Sequence, residues 1–120
     1  MNRAKVGPIG HLISATRYSC QGLRRAWASQ AAFRYEIYVL IFALPLAGFV
    51  GKSAFERALL MGSAMLVIVV ELLNSAIEAT VDRIGQESHE MSGHAKDLAS
   101  AAVFAAVVLA VLVWLMLLLA

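Results

Sequence analysis

The 120-residue sequence has one cysteine, Cys20, two prolines, Pro8 and Pro45, and charged side chains at only 15% of its positions. A single cysteine excludes an intrachain disulfide and any metal site built from several thiolates. Beside 61% hydrophobic residues, so small a charged share departs from soluble domains, which carry about 25% charged residues. A globule of this size has too little interior for that much apolar side chain. The excess is expected to face lipid, which excludes a soluble enzyme, a disordered chain and a disulfide scaffold. One membrane domain over residues 1–120 is the expected organisation, without internal repeats or low-complexity linkers. A secretory signal is also missing: residues 1–36 hold six basic residues and no apolar run of signal length.

What is there reads as an all-α integral membrane protein. Ile9, Leu12, Thr16, Cys20, Leu23 and Trp27 recur at steps of three or four, with Arg17, Gln21, Arg24 and Arg25 off that stripe. The pattern predicts an amphipathic helix over 9–36 lying in the headgroup region, the alternative being a helix packed on other protein. Three apolar segments follow, predicted as transmembrane helices over about 35–51, 58–81 and 98–120. Pro45 falls inside the first, a position lipid-embedded helices tolerate when neighbours satisfy the freed carbonyl. Six of the ten basic residues precede the first span, and only Lys52 and Arg57 occupy the first hairpin. The positive-inside rule then places the N-terminus in the cytoplasm, and by parity the 82–97 loop as well. These charges are read as topology signals, and no nucleic-acid partner is expected.

The second span carries polar residues on one side. With Glu71 at 0° and about 100° per residue, Asn74 falls near −60°, Glu78 near −20°, Asp82 near +20° and Ser75 near +40°. Ionisable side chains in lipid cost a few kcal/mol each on insertion scales, so this stripe points to a buried site for protons or cations. An interhelical hydrogen-bond seam is the alternative. Along the axis Glu71 lies about 10 Å from Glu78, and Glu78 about 6 Å from Asp82, which makes Glu71 the deepest. Apolar surroundings make it a stronger base than an exposed carboxylate. The loop after Asp82 adds Glu87, Ser88, His89, Lys96 and Asp97. A lysine near a helix start, with carboxylates close by, suits phosphates and a divalent ion; a solvated turn with a snorkelling lysine is the alternative.

Two other patterns fail on spacing. Gly48-Phe49-Val50-Gly51-Lys52-Ser53 ends like a phosphate-binding loop, but the first glycine that motif needs would fall at Leu46. His89 and His94 flank a segment like a zinc-protease helix, but they stand five apart rather than four. On the third span Ala95, Ala99, Ala102, Ala106 and Ala110 form a small-residue seam suited to close helix packing.

The chain resembles a known family through specific segments. They are Tyr18-Ser19 with Gly22-Leu23-Arg24; Ala31-Ala32-Phe33-Arg34 with Glu36; Glu71-Leu72-Leu73-Asn74-Ser75-Ala76-Ile77-Glu78 with Asp82-Arg83; and His89-Glu90, Ser92-Gly93 and Ala95-Lys96-Asp97. These look like the small bacterial integral-membrane diacylglycerol kinases, over about Ile9 to Trp114. The resemblance implies a homotrimer in the bacterial inner membrane, each subunit with an interfacial helix and three transmembrane helices. It implies transfer of the ATP γ-phosphate to diacylglycerol, giving phosphatidic acid, with magnesium as cofactor.

By the same resemblance Glu71 is the general base, supported by Asn74, and Glu78 holds magnesium. Tyr18, Gln30, Glu78, Glu87, Ser88, His89, Lys96 and Asp97 match nucleotide positions. Arg24, Arg34, Glu36, Arg57, Glu71 and Ser100 match positions lining the lipid site. The chain departs from the family pattern twice. Gln30 stands where a glutamate usually joins the metal site, and His11 where a nucleotide-contacting arginine is common. An undecaprenol kinase of the same family and a non-catalytic small membrane protein remain the alternative readings.

Overall fold

The computed structural model describes residues 7–85 and 89–120, and the described residues form four α-helices. The chain divides into two compact units, one ending at Ala31 and one from Ala32 to Ala120.

The first unit is helix α1, Pro8–Ser29. Proline at the first helical position loses nothing, since its missing N–H would have had no partner there. The hydroxyls of Thr16, Ser19 and Ser29 donate back to the carbonyls of Leu12, Ala15 and Arg25, so the helix absorbs its own short polar groups. Ile9, Leu12, Ile13 and Leu23 are exposed. The helix ends at Gln30, whose backbone is extended at φ −119°, ψ 105°. The continuous helix expected over 9–36 is therefore interrupted by one residue. Neither glycine nor proline marks the break.

The second unit contains α2 (Ala31–Val50), α3 (Ala54–Ile84) and α4 (Glu90–Leu118), each long and apolar enough to cross a membrane. At 1.5 Å per residue, α2 is about 30 Å long, the thickness of a hydrocarbon core. Helix α3, with 31 residues, reaches about 46 Å, and α4, with 29, about 43 Å. Both outrun their apolar stretches. Residues 82–84 and 90–97, expected in the loop, are helical. Backbone hydrogen bonding continues wherever the chain stays helical, so hydropathy marks the lipid-facing length and not the helix end. Helix α2 continues past Pro45, where the carbonyl of Ile41 loses its usual backbone donor.

The α2–α3 turn is tightly held. Ser53 caps α3, its hydroxyl accepting from the Glu56 N–H at 3.1 Å, while Glu56 Oε2 accepts from the Lys52 N–H at 2.7 Å. Arg57 Nε donates to the Gly48 carbonyl, and Lys52 Nζ to the Ala120 carbonyl. The segment that resembled a phosphate loop is thus a helix-ending turn. Gly51 is buried within it, and a Cβ there would come within 2.9 Å of the Ala47 carbonyl oxygen and against the Arg57 side chain.

Helices α3 and α4 pack on each other. Ala99 and Ala106 of the small-residue seam are buried and Ala95 and Ala110 half-buried, but Ala102 is exposed. On α3 the buried residues are Leu60, Ser63, Ile68, Glu71 and Val81. The Leu60 carbonyl accepts from both Trp114 Nε1 and the Ser63 hydroxyl, each at 3.1 Å. Away from this contact the surface is greasy: Phe42 is 75% exposed, Phe49 87% and Phe104 71%. Such large apolar side chains turned outward are those of a multi-pass membrane protein.

Gly51→Ala should lower stability by about 1–3 kcal/mol, since the Ala47 backbone cannot swing aside as a side chain can. Ser53→Ala should cost about 1 kcal/mol through the lost cap. Thermal unfolding in detergent micelles measures both.

Candidate active site

The polar stripe of α3 begins at Glu71, which is only 5% exposed. One helical turn later come Asn74 and Ser75, then Glu78, all half-buried, and the stripe reaches solvent at Asp82. Asn74 Nδ2 donates to Glu78 Oε1 at 3.4 Å, a long contact that leaves room for adjustment. Helix α2 contributes Glu36, half-buried, whose carboxylate is close enough to that of Glu71 to repel it; Glu71 and Glu78 repel in the same way. Glu36 Oε2, Asn74 Oδ1 and the Ser75 hydroxyl are buried without a hydrogen-bond partner. Buried polar atoms are paired in the great majority of cases, so these three are open to a polar partner from outside the single chain.

Beside this site α2, α3 and α4 enclose an apolar groove of about 710 Å³, and Glu36 is the one charged side chain in its wall. A greasy groove with one carboxylate in its wall suits a molecule with a long apolar part and a polar head.

Helix α4 brings the cation. Lys96 Nζ lies 2.7 Å from Asp82 Oδ1, tying the last turn of α3 to the start of α4. Lys96 precedes the apolar stretch of its helix. Its ammonium is held above the ordinary lysine pKa, first by the hydrogen bond to Asp82 and then by that carboxylate's charge. Exposed to water, the pair adds little to stability; what it adds is present below the ordinary lysine pKa and fades as pH rises through the raised value.

The remaining candidates are distributed along the chain. His89 caps α4, its Nδ1 accepting from the Met91 N–H at 3.0 Å. That contact assigns Nδ1 as the unprotonated nitrogen and leaves Nε2–H directed elsewhere. His94 lies 3.9 Å from Glu90, one turn back on the same helix. The two histidines thus have separate partners. Asp97 and Ser100 are exposed on α4, with Ser100 one turn beyond Lys96. Arg34 is half-buried in the first turns of α2. Arg57 lies about 21 Å along α3 from Glu71, at the opposite end of the helix. Tyr18, Arg24 and Gln30 belong to the other unit, on α1 and at its end. Glu87 and Ser88 lie outside the described residues.

Among the described residues no three His, Cys, Asp or Glu side chains are grouped to hold a metal. What the stripe offers is oxygen: Glu78 and the unpaired Asn74 Oδ1. So few protein ligands, all of them hard oxygens, fit magnesium carried on phosphates rather than a metal in a protein cage. Sequence reasoning had aligned Asp82 with Glu78 on one face but had not paired it with Lys96. It also missed the cap made by His89, a residue outside the usual capping set.

A membrane-spanning bundle with carboxylates and a lysine gathered at one end of two long helices defines a membrane protein with a polar site at the edge of lipid. A family model for prokaryotic diacylglycerol kinase matches residues 17–118. The diacylglycerol kinase of Escherichia coli strain K12 is 52% identical over 107 residues, covering 89% of this chain and 88% of that protein. That of Haemophilus influenzae is 46% identical over 110 residues, covering 92% and 93%. That of Pseudomonas aeruginosa is 43% identical over 106 residues, covering 88% and 86%. The chain belongs to the prokaryotic diacylglycerol kinase family.

Proposed function

We propose that the protein is a lipid kinase that transfers the ATP γ-phosphate to the hydroxyl of diacylglycerol, giving phosphatidic acid. The observation that carries this reading is Glu71, buried in an apolar helix, with unpaired buried polar atoms one turn along on Asn74 and Ser75 and on Glu36 of α2. The names of the family relatives supply the acceptor.

In the reaction Glu71 takes the hydroxyl proton as the lipid oxygen bonds to the γ-phosphorus. The bond from that phosphorus to the bridging oxygen breaks, and ADP leaves with its electron pair. Phosphoryl transfer relies on positioning and charge neutralisation more than on covalent chemistry. Lys96 supplies one positive charge on the phosphates. Glu78, with the Asn74 carbonyl and the Gln30 amide oxygen, would hold magnesium, which neutralises the phosphate oxygens when bound. Tyr18, Glu87, Ser88, His89 and Asp97 complete the nucleotide site, and Arg24, Arg34, Glu36, Arg57 and Ser100 the lipid site.

Arg57 stands about 21 Å along α3 from Glu71, and the outward apolar faces of α2–α4 need covering. Both observations support a homotrimer with shared active sites. Helix α1 lies at the membrane interface, and the N-terminus faces the cytoplasm of the bacterial inner membrane.

Purified protein given radiolabelled ATP in mixed micelles should phosphorylate diacylglycerol. If undecaprenol alone were labelled, the acceptor would be wrong; if neither were, the kinase reading would fall. Glu71→Gln should reduce turnover by about 10³-fold or more, with the protein still folded. An active variant would remove Glu71 from the role of base. Gln30→Glu adds a negative charge to the metal site and should lower the magnesium concentration giving half-maximal rate; an unchanged requirement would exclude position 30 as a ligand.

A further inference from the structure

We infer that Asp82 is a positioning residue for the nucleotide: it holds the Lys96 ammonium over the Glu78 end of the α3 stripe, where the phosphates of a nucleoside triphosphate would dock. This deepens the kinase reading above and rests on it.

Three observations lead there. The Lys96–Asp82 contact is short, at 2.7 Å, and joins two helices rather than two turns of one. Asp82 is one helical turn from Glu78, so the tether holds the cation at the end of the stripe that carries the proposed magnesium ligand. Finally, the pair is open to water, with side chains 44% and 64% exposed. Exposed ion pairs add little to stability, so holding the fold together is a poor account of this one. An ammonium has three donors. One is committed to Asp82, which leaves two for phosphate oxygens. A free lysine loses rotamer freedom when it binds phosphate; one already tethered has lost most of it beforehand. Asp82 therefore stays on Lys96 throughout, and the phosphates bind to its remaining donors.

The test is steady-state kinetics of the full chain in mixed micelles, varying MgATP and diacylglycerol separately. Asp82→Asn removes the charge and keeps the shape. It should raise the KM for MgATP about tenfold and leave that for the lipid within about twofold, as expected for losing a charge-assisted hydrogen bond. Asp82→Glu should restore most of the lost affinity. In a Lys96→Ala background Asp82→Asn should change nothing further, because the residue it acts through is gone. An unchanged KM for MgATP, or equal rises for both substrates, would overturn the inference. So would a folded Asp82→Glu beside an Asp82→Asn that does not fold, since the pair would then be a structural clasp. A wild-type protein that phosphorylates no lipid overturns the kinase reading and this inference with it. A working wild type with indifferent variants overturns the inference alone.

Discussion

A carboxylate inside an apolar helix is tolerated only where neighbouring groups receive it, because a bare charge in hydrocarbon costs several kcal/mol. Glu71 is the residue on which that constraint falls hardest. Its side chain is buried, and the polar atoms nearest in helical register, on Asn74 and Ser75, are themselves buried and unpaired. Glu36 and Glu78 add repulsion rather than relief. No stability argument favours such a group of residues. The single chain leaves these groups open to a further partner, and under the proposed function the substrates and their cation would supply it.

The rest of the second unit holds that stripe in place. Helix α4 packs on α3 through Ala99 and Ala106, whose small side chains let the backbones approach. Farther along, Trp114 anchors the same two helices by donating to the Leu60 carbonyl. At the other end the Lys96–Asp82 pair joins them again. The α3–α4 pair is thus held by packing and the Trp114 bond, with the exposed Lys96–Asp82 contact bridging the end that carries the stripe. Helix α2 stands across an apolar groove and brings Glu36 to its wall.

Much of this was legible in the chain, for identifiable reasons. The stripe from Glu71 to Asp82 follows from the helical repeat alone, and the three spans from hydropathy. The helix break at Gln30 was not legible, because the residue is neither glycine nor proline. The ends of α3 and α4 were misjudged because loss of hydrophobicity was read as loss of helix. Ala102 fits the small-residue spacing yet faces outward, since spacing identifies a face but not which part of it is covered. Lys96 and Asp82 belong to different helices across a turn, and local patterns carry no sign of that pairing. The capping role of His89 depends on which ring nitrogen faces the backbone.

The helix lengths have a mechanical consequence. Helices α3 and α4 run beyond a hydrocarbon core, with polar turns at residues 82–84 and 90–97. Helix α2, at 20 residues, matches the core with no reserve and is closed at one end by the tight Gly51–Ser53 turn. A mismatch between bilayer thickness and α2 would be met by tilting or by locally deforming the lipid. Because α2 carries Glu36, a tilt of this helix would shift that carboxylate relative to α3.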